Sequence, residues 1–272
     1  MRKFKNTLSL LKVYLGIIIS IFILLSIIAH ILVNGLAHIS FDFLFNINAP
    51  RGESIVPMVI TTLIIVFLTL LISAPIGIGS AIYLNEYANP NSRIVRGIRI
   101  AIETLSGIPS IIYGLFGFLF YVIILQWSWS LMAGVFTVAI MVLPIIIRSS
   151  EEALKSVPIS YREGSYALGG GKFYTIRKVI LPSAITGIMA SIILSVGRIV
   201  GETAALILTA GTLVNMPTGL FSSASTLAVF MYTVTVEGAD MNRAYATAVV
   251  LMGLVLMLNI LANLIGRRFK HN

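Results

Sequence analysis

The chain contains no cysteine, which excludes a disulfide framework, thiol nucleophiles, thiolate metal sites and S-acylation. Charge is nearly as scarce. Only 11% of the 272 residues are Asp, Glu, Lys or Arg, where a soluble domain carries about 25%, so a water-soluble chain of this composition lacks the polar surface it needs. Acidic residues are the rarer sign, 10 against 19 basic, which leaves a net charge of +9. Such an excess suits nucleic acid only as a clustered patch or stripe. Here the basic residues sit in short segments between long uncharged runs, the pattern of membrane loops, so the partner is membrane lipid and not nucleic acid. His30, His38 and His271 are scattered, and neither H-E-x-x-H nor G-x-S-x-G occurs. An intramembrane enzyme built on Glu103, Glu202 and a serine therefore has no recognisable constellation.

What is present is apolar: 58% of the residues are hydrophobic and the mean hydropathy is +1.00. A bilayer core of about 30 Å takes roughly 20 apolar residues per helix. Six spans fit: residues 13–37, a stretch within 54–85, two that divide 104–147 at Gln126–Ser130, then 183–209 and 245–265. The two tryptophans of that junction, Trp127 and Trp129, suit a membrane–water interface. The first span is too long for the apolar region of a signal peptide and is read as an uncleaved helix.

Six spans place 16 of the 19 basic residues on one side. They are Arg2, Lys3, Lys5 and Lys12; Arg93, Arg96 and Arg99; Arg148, Lys155, Arg162, Lys172, Arg177 and Lys178; and Arg267, Arg268 and Lys270. Arg51 and Arg243 fall on the other side and Arg198 within the membrane. The positive-inside rule makes both termini cytoplasmic. Gly219–Val234 competes as a seventh crossing, but its Ser/Thr/Gly content is high, and a crossing would move the basic tail outside. It reads better as an external loop with a short re-entrant or interfacial helix. Ser73, Gly77 and Ala81, and Gly187, Ser191 and Ser195, form small-residue stripes suited to close helix packing. Pro75, Pro109 and Pro144 lie within spans and predict kinks.

The longest polar insertion runs from Arg148 to Lys178. Gly169-Gly170-Gly171 predicts a turn between a short helix at 162–168, with Glu163 near its positive end, and another at 173–180. Lys172 after three glycines invites a phosphate-loop reading. That motif needs glycine where Tyr166 stands and Ser/Thr where Phe173 stands, so any ATP is handled by another chain.

The insertion resembles the cytoplasmic loop E-A-A-x3-G-x9-I-x-L-P of permease subunits of ATP-binding-cassette importers. Glu163, Gly169, Val179, Leu181 and Pro182 fall at its spacing, with Gly164 and Ser165 for the two alanines and Val179 for isoleucine. Within that family, Ala81-Ile82-Tyr83-Leu84-Asn85-Glu86-Tyr87, Pro109-Ser110-Ile111-Ile112-Tyr113-Gly114-Leu115-Phe116 and Arg198-Ile199-Val200-Gly201-Glu202-Thr203-Ala204 resemble the phosphate-specific permeases. The chain length and short amino-terminal arm resemble their A-type subunit.

The resemblance covers roughly residues 57–265, with a coupling loop at about 149–181, preceded by the arm, first helix and external loop of 1–56 and followed by a basic tail, 266–272. It implies an all-α polytopic membrane protein with six transmembrane helices in the type I importer-permease (MetI-like) fold. It also implies that Glu163, Gly164, Ser165, Ala167, Leu168, Gly169 and Gly170 contact a cytoplasmic ATPase. This chain is then a transport subunit with no cofactor of its own. ATP and magnesium belong to a dimer of ATPase subunits, a second similar permease completes the path, and an extracytoplasmic phosphate-binding protein supplies it. Permeases for molybdate, tungstate or sulfate are the nearest alternatives, and a channel is the alternative that needs no coupling loop.

Arg198 and Glu202 stand out on physical grounds. A charge near a span centre costs about 2.5–3.5 kcal/mol on insertion scales and so faces protein or a water-filled path. Four residues apart, they can share a helix face and pair, although Arg-before-Glu is the weaker orientation. The alternatives are an ion pair that pins helices and an anion path, with Thr203 beside it, in which Arg198 meets phosphate oxygens with its planar donors. Glu103 is either interfacial or paired with Arg99.

Overall fold

The computed structural model describes residues 2–46, 53–238 and 240–270. Arg51 and His271 lie outside them. All regular structure among the described residues is helical. In chain order the helices are α1 (Arg2–Leu36), α2 (Phe41–Phe45), α3 (Val56–Ile82), α4 (Arg93–Ser106), α5 (Ser110–Gly117), α6 (Leu131–Lys155), α7 (Ile159–Ala167), α8 (Lys172–Thr175), α9 (Leu181–Val200), α10 (Ala204–Thr209), α11 (Leu227–Val236) and α12 (Met241–Lys270). Three π-helical turns extend them: Tyr83–Tyr87 closes α3, Phe118–Ile124 continues α5, and Ile176–Ile180 joins α8 to α9. The last has a local cause. Pro182 lacks an N–H and its ring crowds the carbonyl four residues back, and the widened turn just before it absorbs the mismatch.

Among the described residues, five helices are long and apolar enough to cross a membrane: Lys12–Leu36, Val56–Tyr87, Leu131–Lys155, Lys172–Val200 and Met241–Leu264. α4 and α5 with its π extension form a bent pair, 101° apart, which makes six candidate spans when counted as one. The expectation of a third span from residue 104, kinked at Pro109, is thus corrected to a break. Gly107, Ile108 and Pro109 break it, and Pro109 caps α5 instead of kinking a helix interior. Pro75 and Pro144 do lie inside α3 and α6. The expected fifth span, 183–209, shifts at both ends: it is helical from Lys172 and ends at Val200, with α10 a separate short helix. Gly219–Val234 does not cross, because α11 has only 10 residues, about 15 Å of helix.

α6 is the central post. Its long buried face includes Val135, Val138, Val142 and Ile146, which pack with Ile65 and Val66 of α3 and Val196, Ile199 and Val200 of α9. Both small-residue stripes are seams against this post. A Cβ on Gly77 would stand 2.6 Å from Cγ2 of Ile146, and one on Gly187 would stand 2.5 Å from Cβ of Ala153. Ser191 Oγ lies 3.4 Å from Ser150 Oγ. The span of α1 is exposed over most of its length, with a polar contact to α12 where His30 Nε2 meets the Tyr245 hydroxyl at 3.1 Å. At the outer end, Ser130 accepts the N–H of Ala133 to cap α6, and its own N–H donates to Thr209 O at 2.9 Å, tying α10 to the top of the post.

Candidate functional site: an arginine at a broken helix and a projecting glycine turn

Ser150 of α6 is opposite Ser191 of α9, and Arg198 lies two turns further along α9, two residues before its end at Val200. There α9 ends. Gly201 caps it, Glu202 and Thr203 form a turn, and α10 resumes towards the outer face. A helix broken at membrane depth is tolerated where its freed backbone groups face protein or water.

This break overturns the shared helix face expected for Arg198 and Glu202. Glu202 lies beyond the last turn of α9. It is buried, and its Oε1 accepts the N–H of Ala205 at 3.1 Å, so the carboxylate caps α10. Arg198 is exposed and takes part in none of the ion pairs among the described residues. Thr203 Oγ1 donates to Gly201 O at 3.4 Å. Arg198, Glu202 and Thr203 nonetheless line one open cavity of about 450 Å³ with Gly197, Gly201, Ala204 and Ser110. Ser110 is the first residue of α5, which packs closely on α10. A Cβ on Gly114 would stand 2.8 Å from the Ala205 Cα, so the two short helices approach at a contact that only glycine permits. The arrangement is a guanidinium outside the ion pairs of the described residues, opening into a cavity walled by the ends of two broken helices.

Of the two readings of Glu103, the solvated one fits, its side chain being 73% exposed. Arg99 instead binds Glu151 at 2.8 Å, while Glu103 is 3.9 Å from Arg148. Glu151 also takes Lys155 at 2.8 Å, and these groups line a cytoplasmic-side cavity of about 250 Å³. The balance of cations and carboxylates there makes a neutral network and no anion trap.

At the cytoplasmic end, α7 starts at Ile159, so Glu163 lies mid-helix and exposed, one turn away from the N-terminal position read from sequence. Gly169 has φ +81, the left-handed region that ends helices on glycine. Gly170 is required for space: a Cβ would stand 2.8 Å from Ser165 O and 2.7 Å from Ser165 Oγ. Ser165 is buried and bonds Thr175 across the turn at 2.8 Å. The small residues of the turn thus fold α7 and α8 back on each other, while Leu168 is left 91% exposed and Phe173 67%. Ser160, Tyr161, Gly164, Ser165, Leu168, Gly169 and Tyr174 are among the residues that surround an open cavity of about 620 Å³; Ala167 lies exposed in the last turn of α7. An exposed leucine and aromatics on a projecting polar loop form a patch of the kind that docks protein.

Residues 73–271 match the family described as binding-protein-dependent transport system inner membrane component. The probable ABC transporter permease protein YqgI of Bacillus subtilis is 35% identical over 65% of this chain and 60% of its own length. A phosphate transport system permease protein PstA homolog of Mycoplasma pneumoniae is 42% identical over 52% of this chain and 22% of its own. The chain thus spans less than two thirds of either relative. Among solved structures, a bacterial alginate ABC transporter in complex with alginate pentasaccharide-bound periplasmic protein superposes with a TM-score of 0.73 at 17% identity, over 99% of this chain and 97% of that one. The fold is therefore that of an ABC transporter permease, and the chain belongs to the family of binding-protein-dependent transport system inner membrane components.

Proposed function

We propose that the chain is the A-type permease of an ATP-driven importer that moves inorganic phosphate across the cytoplasmic membrane. It works beside a second, PstC-like permease and a PstB-like ATPase dimer that binds ATP and magnesium, and it receives phosphate from a PstS-like extracytoplasmic binding protein. The observation that carries this reading is the unpaired Arg198 in a cavity at the broken α9–α10 span. Burying a dianion in low dielectric costs several kcal/mol per charge, and a guanidinium offsets part of that while matching two oxygens of a tetrahedral anion. The names of PstA relatives support phosphate as that anion. The loop from Glu163 to Gly170 is the docking segment for the ATPase, supported by its exposed Leu168 and its glycine-dependent turn.

The test is uptake by vesicles holding the two permeases, the ATPase and the binding protein. Labelled phosphate accumulates only with ATP and the binding protein, and excess sulfate or molybdate does not compete. Accumulation of molybdate or sulfate in place of phosphate moves the assignment to that oxyanion, and flux without ATP points to a channel.

A further inference from the structure

The π-helical turn at the end of α3 gathers contacts from four other elements. Glu86 Oε1 takes Arg162 Nη2 of α7 at 2.8 Å, with the two side chains 6% and 18% exposed. The same guanidinium donates to Leu154 O at 3.2 Å and Val157 O at 3.0 Å, so it also closes the C-terminal end of α6. Lys172, the first residue of α8, places Nζ 4.8 Å from the centre of the Tyr87 ring. From the other side, Arg99 of α4 donates to Leu84 O at 3.1 Å while it holds Glu151 of α6. Asn85 completes the shell by donating to Glu86 Oε1 at 2.7 Å.

These contacts have a directional consequence. α7 and α8 flank the glycine turn, whereas α4 leads through its 101° bend into Ser110 and the Arg198 cavity. A buried ion pair with its remaining donors satisfied by carbonyls is a stiff joint. Losing one partner strands the other charge. A π turn is itself a common mark of functional positions in helices.

We propose that Tyr83–Tyr87 is the mechanical joint of the permease, in which the Glu86–Arg162 pair fixes the ATPase-docking segment to the turn and the Arg99–Leu84 contact fixes α4 to it, so that the two move as one body and carry nucleotide-driven motion to the Arg198 cavity. Glu86 and Arg162 are positioning residues and touch no substrate. The proposal rests on the reading of α7 and α8 as the docking segment. It predicts a coupling defect and not merely a loss of fold, since Glu86→Gln keeps an oxygen acceptor at Oε1 and Arg162→Lys keeps the charge but loses the fork.

The experiment uses the full complex in vesicles and reads two quantities. The first is phosphate imported per ATP hydrolysed, which should fall about fivefold or more in Glu86→Gln and in Arg162→Lys. The second is the distance between spin labels on Ile94→Cys in α4 and Ile159→Cys in α7, both exposed sites in a chain without cysteine. In the otherwise unaltered chain that distance stays the same when ATP binds, and Glu86→Gln makes it nucleotide-dependent. A distance that already changes in the otherwise unaltered chain overturns the joint, and this measurement does not depend on the stability of the joint variants. An unchanged import ratio in both joint variants also overturns it. Gly169→Val separates the two ideas: if it uncouples while the joint variants do not, the joint alone fails, and if it too leaves the ratio intact, the docking reading fails.

Discussion

Glu202 follows Arg198 by four residues, yet its carboxylate binds the N–H of Ala205 at 3.1 Å and makes no ion pair with the guanidinium. The reason is the end of α9 at Val200, with Gly201 as its cap. A continuous helix would have stacked the two side chains one turn apart and offset the charge of Arg198. The break leaves Arg198 uncompensated within the cavity and gives Glu202 a backbone to hold. The acid still lines the same cavity.

The glycine turn yields a prediction in which two neighbours differ in mechanism. Gly169 has φ +81 with open space around the Cβ position, so Gly169→Ala strains only the backbone, by about 1–2 kcal/mol. Gly170→Ala meets Ser165 instead and disturbs its bond to Thr175. Both variants should insert in the membrane at normal levels while phosphate uptake per ATP falls, and the bulkier Gly169→Val should fall further. Parallel assays of ATPase activity and uptake in vesicles check this. Full uptake by stably expressed Gly169→Val would remove the turn from the coupling role.

Packing at the central post supplies a stability prediction. A Cβ on Gly77 would stand 2.6 Å from Ile146 Cγ2 and 3.0 Å from its Cβ. Gly77→Val therefore drives α3 off α6, with an expected loss of about 1–3 kcal/mol. Gly79, with nothing within 4 Å of the Cβ position, is the matched control. Thermal unfolding of the detergent-purified complex should show a lower Tm for Gly77→Val and a nearly unchanged one for Gly79→Val.

Topology can be read by labelling, because the chain has no cysteine. A reporter cysteine placed after Lys270 should react with an impermeant thiol reagent only once cells are opened, and one at Leu220 should react in intact cells. External labelling beyond Lys270 would require another crossing, which the 10 residues of α11 are too short to make.

The helices themselves were legible in composition, because an uncharged apolar run in lipid has little choice but to be helical. The stripes at Ser73, Gly77 and Ala81 and at Gly187, Ser191 and Ser195 read correctly as packing seams for the same reason: only small side chains permit such approach. The broken spans were not legible. Pro109 within an apolar run reads equally as a kink or a boundary, and the choice is made by Gly114 packing against Ala205, far away in sequence. Glu202 likewise has the spacing of an i,i+4 partner, and only the end of α9 assigns it to Ala205 instead. The Glu86–Arg162 joint left no local trace, since it joins residues 76 apart and neither belongs to a charge pattern. The glycine turn could be placed from sequence, but not the division of labour in which Gly169 supplies the backbone angle and Gly170 the space.

The proposed anion path rests on Arg198 as an unpaired cation, and phosphate uptake measured beside complex yield decides whether it holds. Arg198→Gln should assemble normally and lose nearly all uptake. Arg198→Lys should retain part of it, because charge survives without the bidentate fork. Glu202→Gln should be milder, since an oxygen remains to cap Ala205. The charge-swapped double variant, Arg198→Glu with Glu202→Arg, should stay inactive, because the two side chains are not partners. Failure of both single variants to assemble, with assembly and uptake restored in the swap, would leave a structural ion pair in place of an anion path.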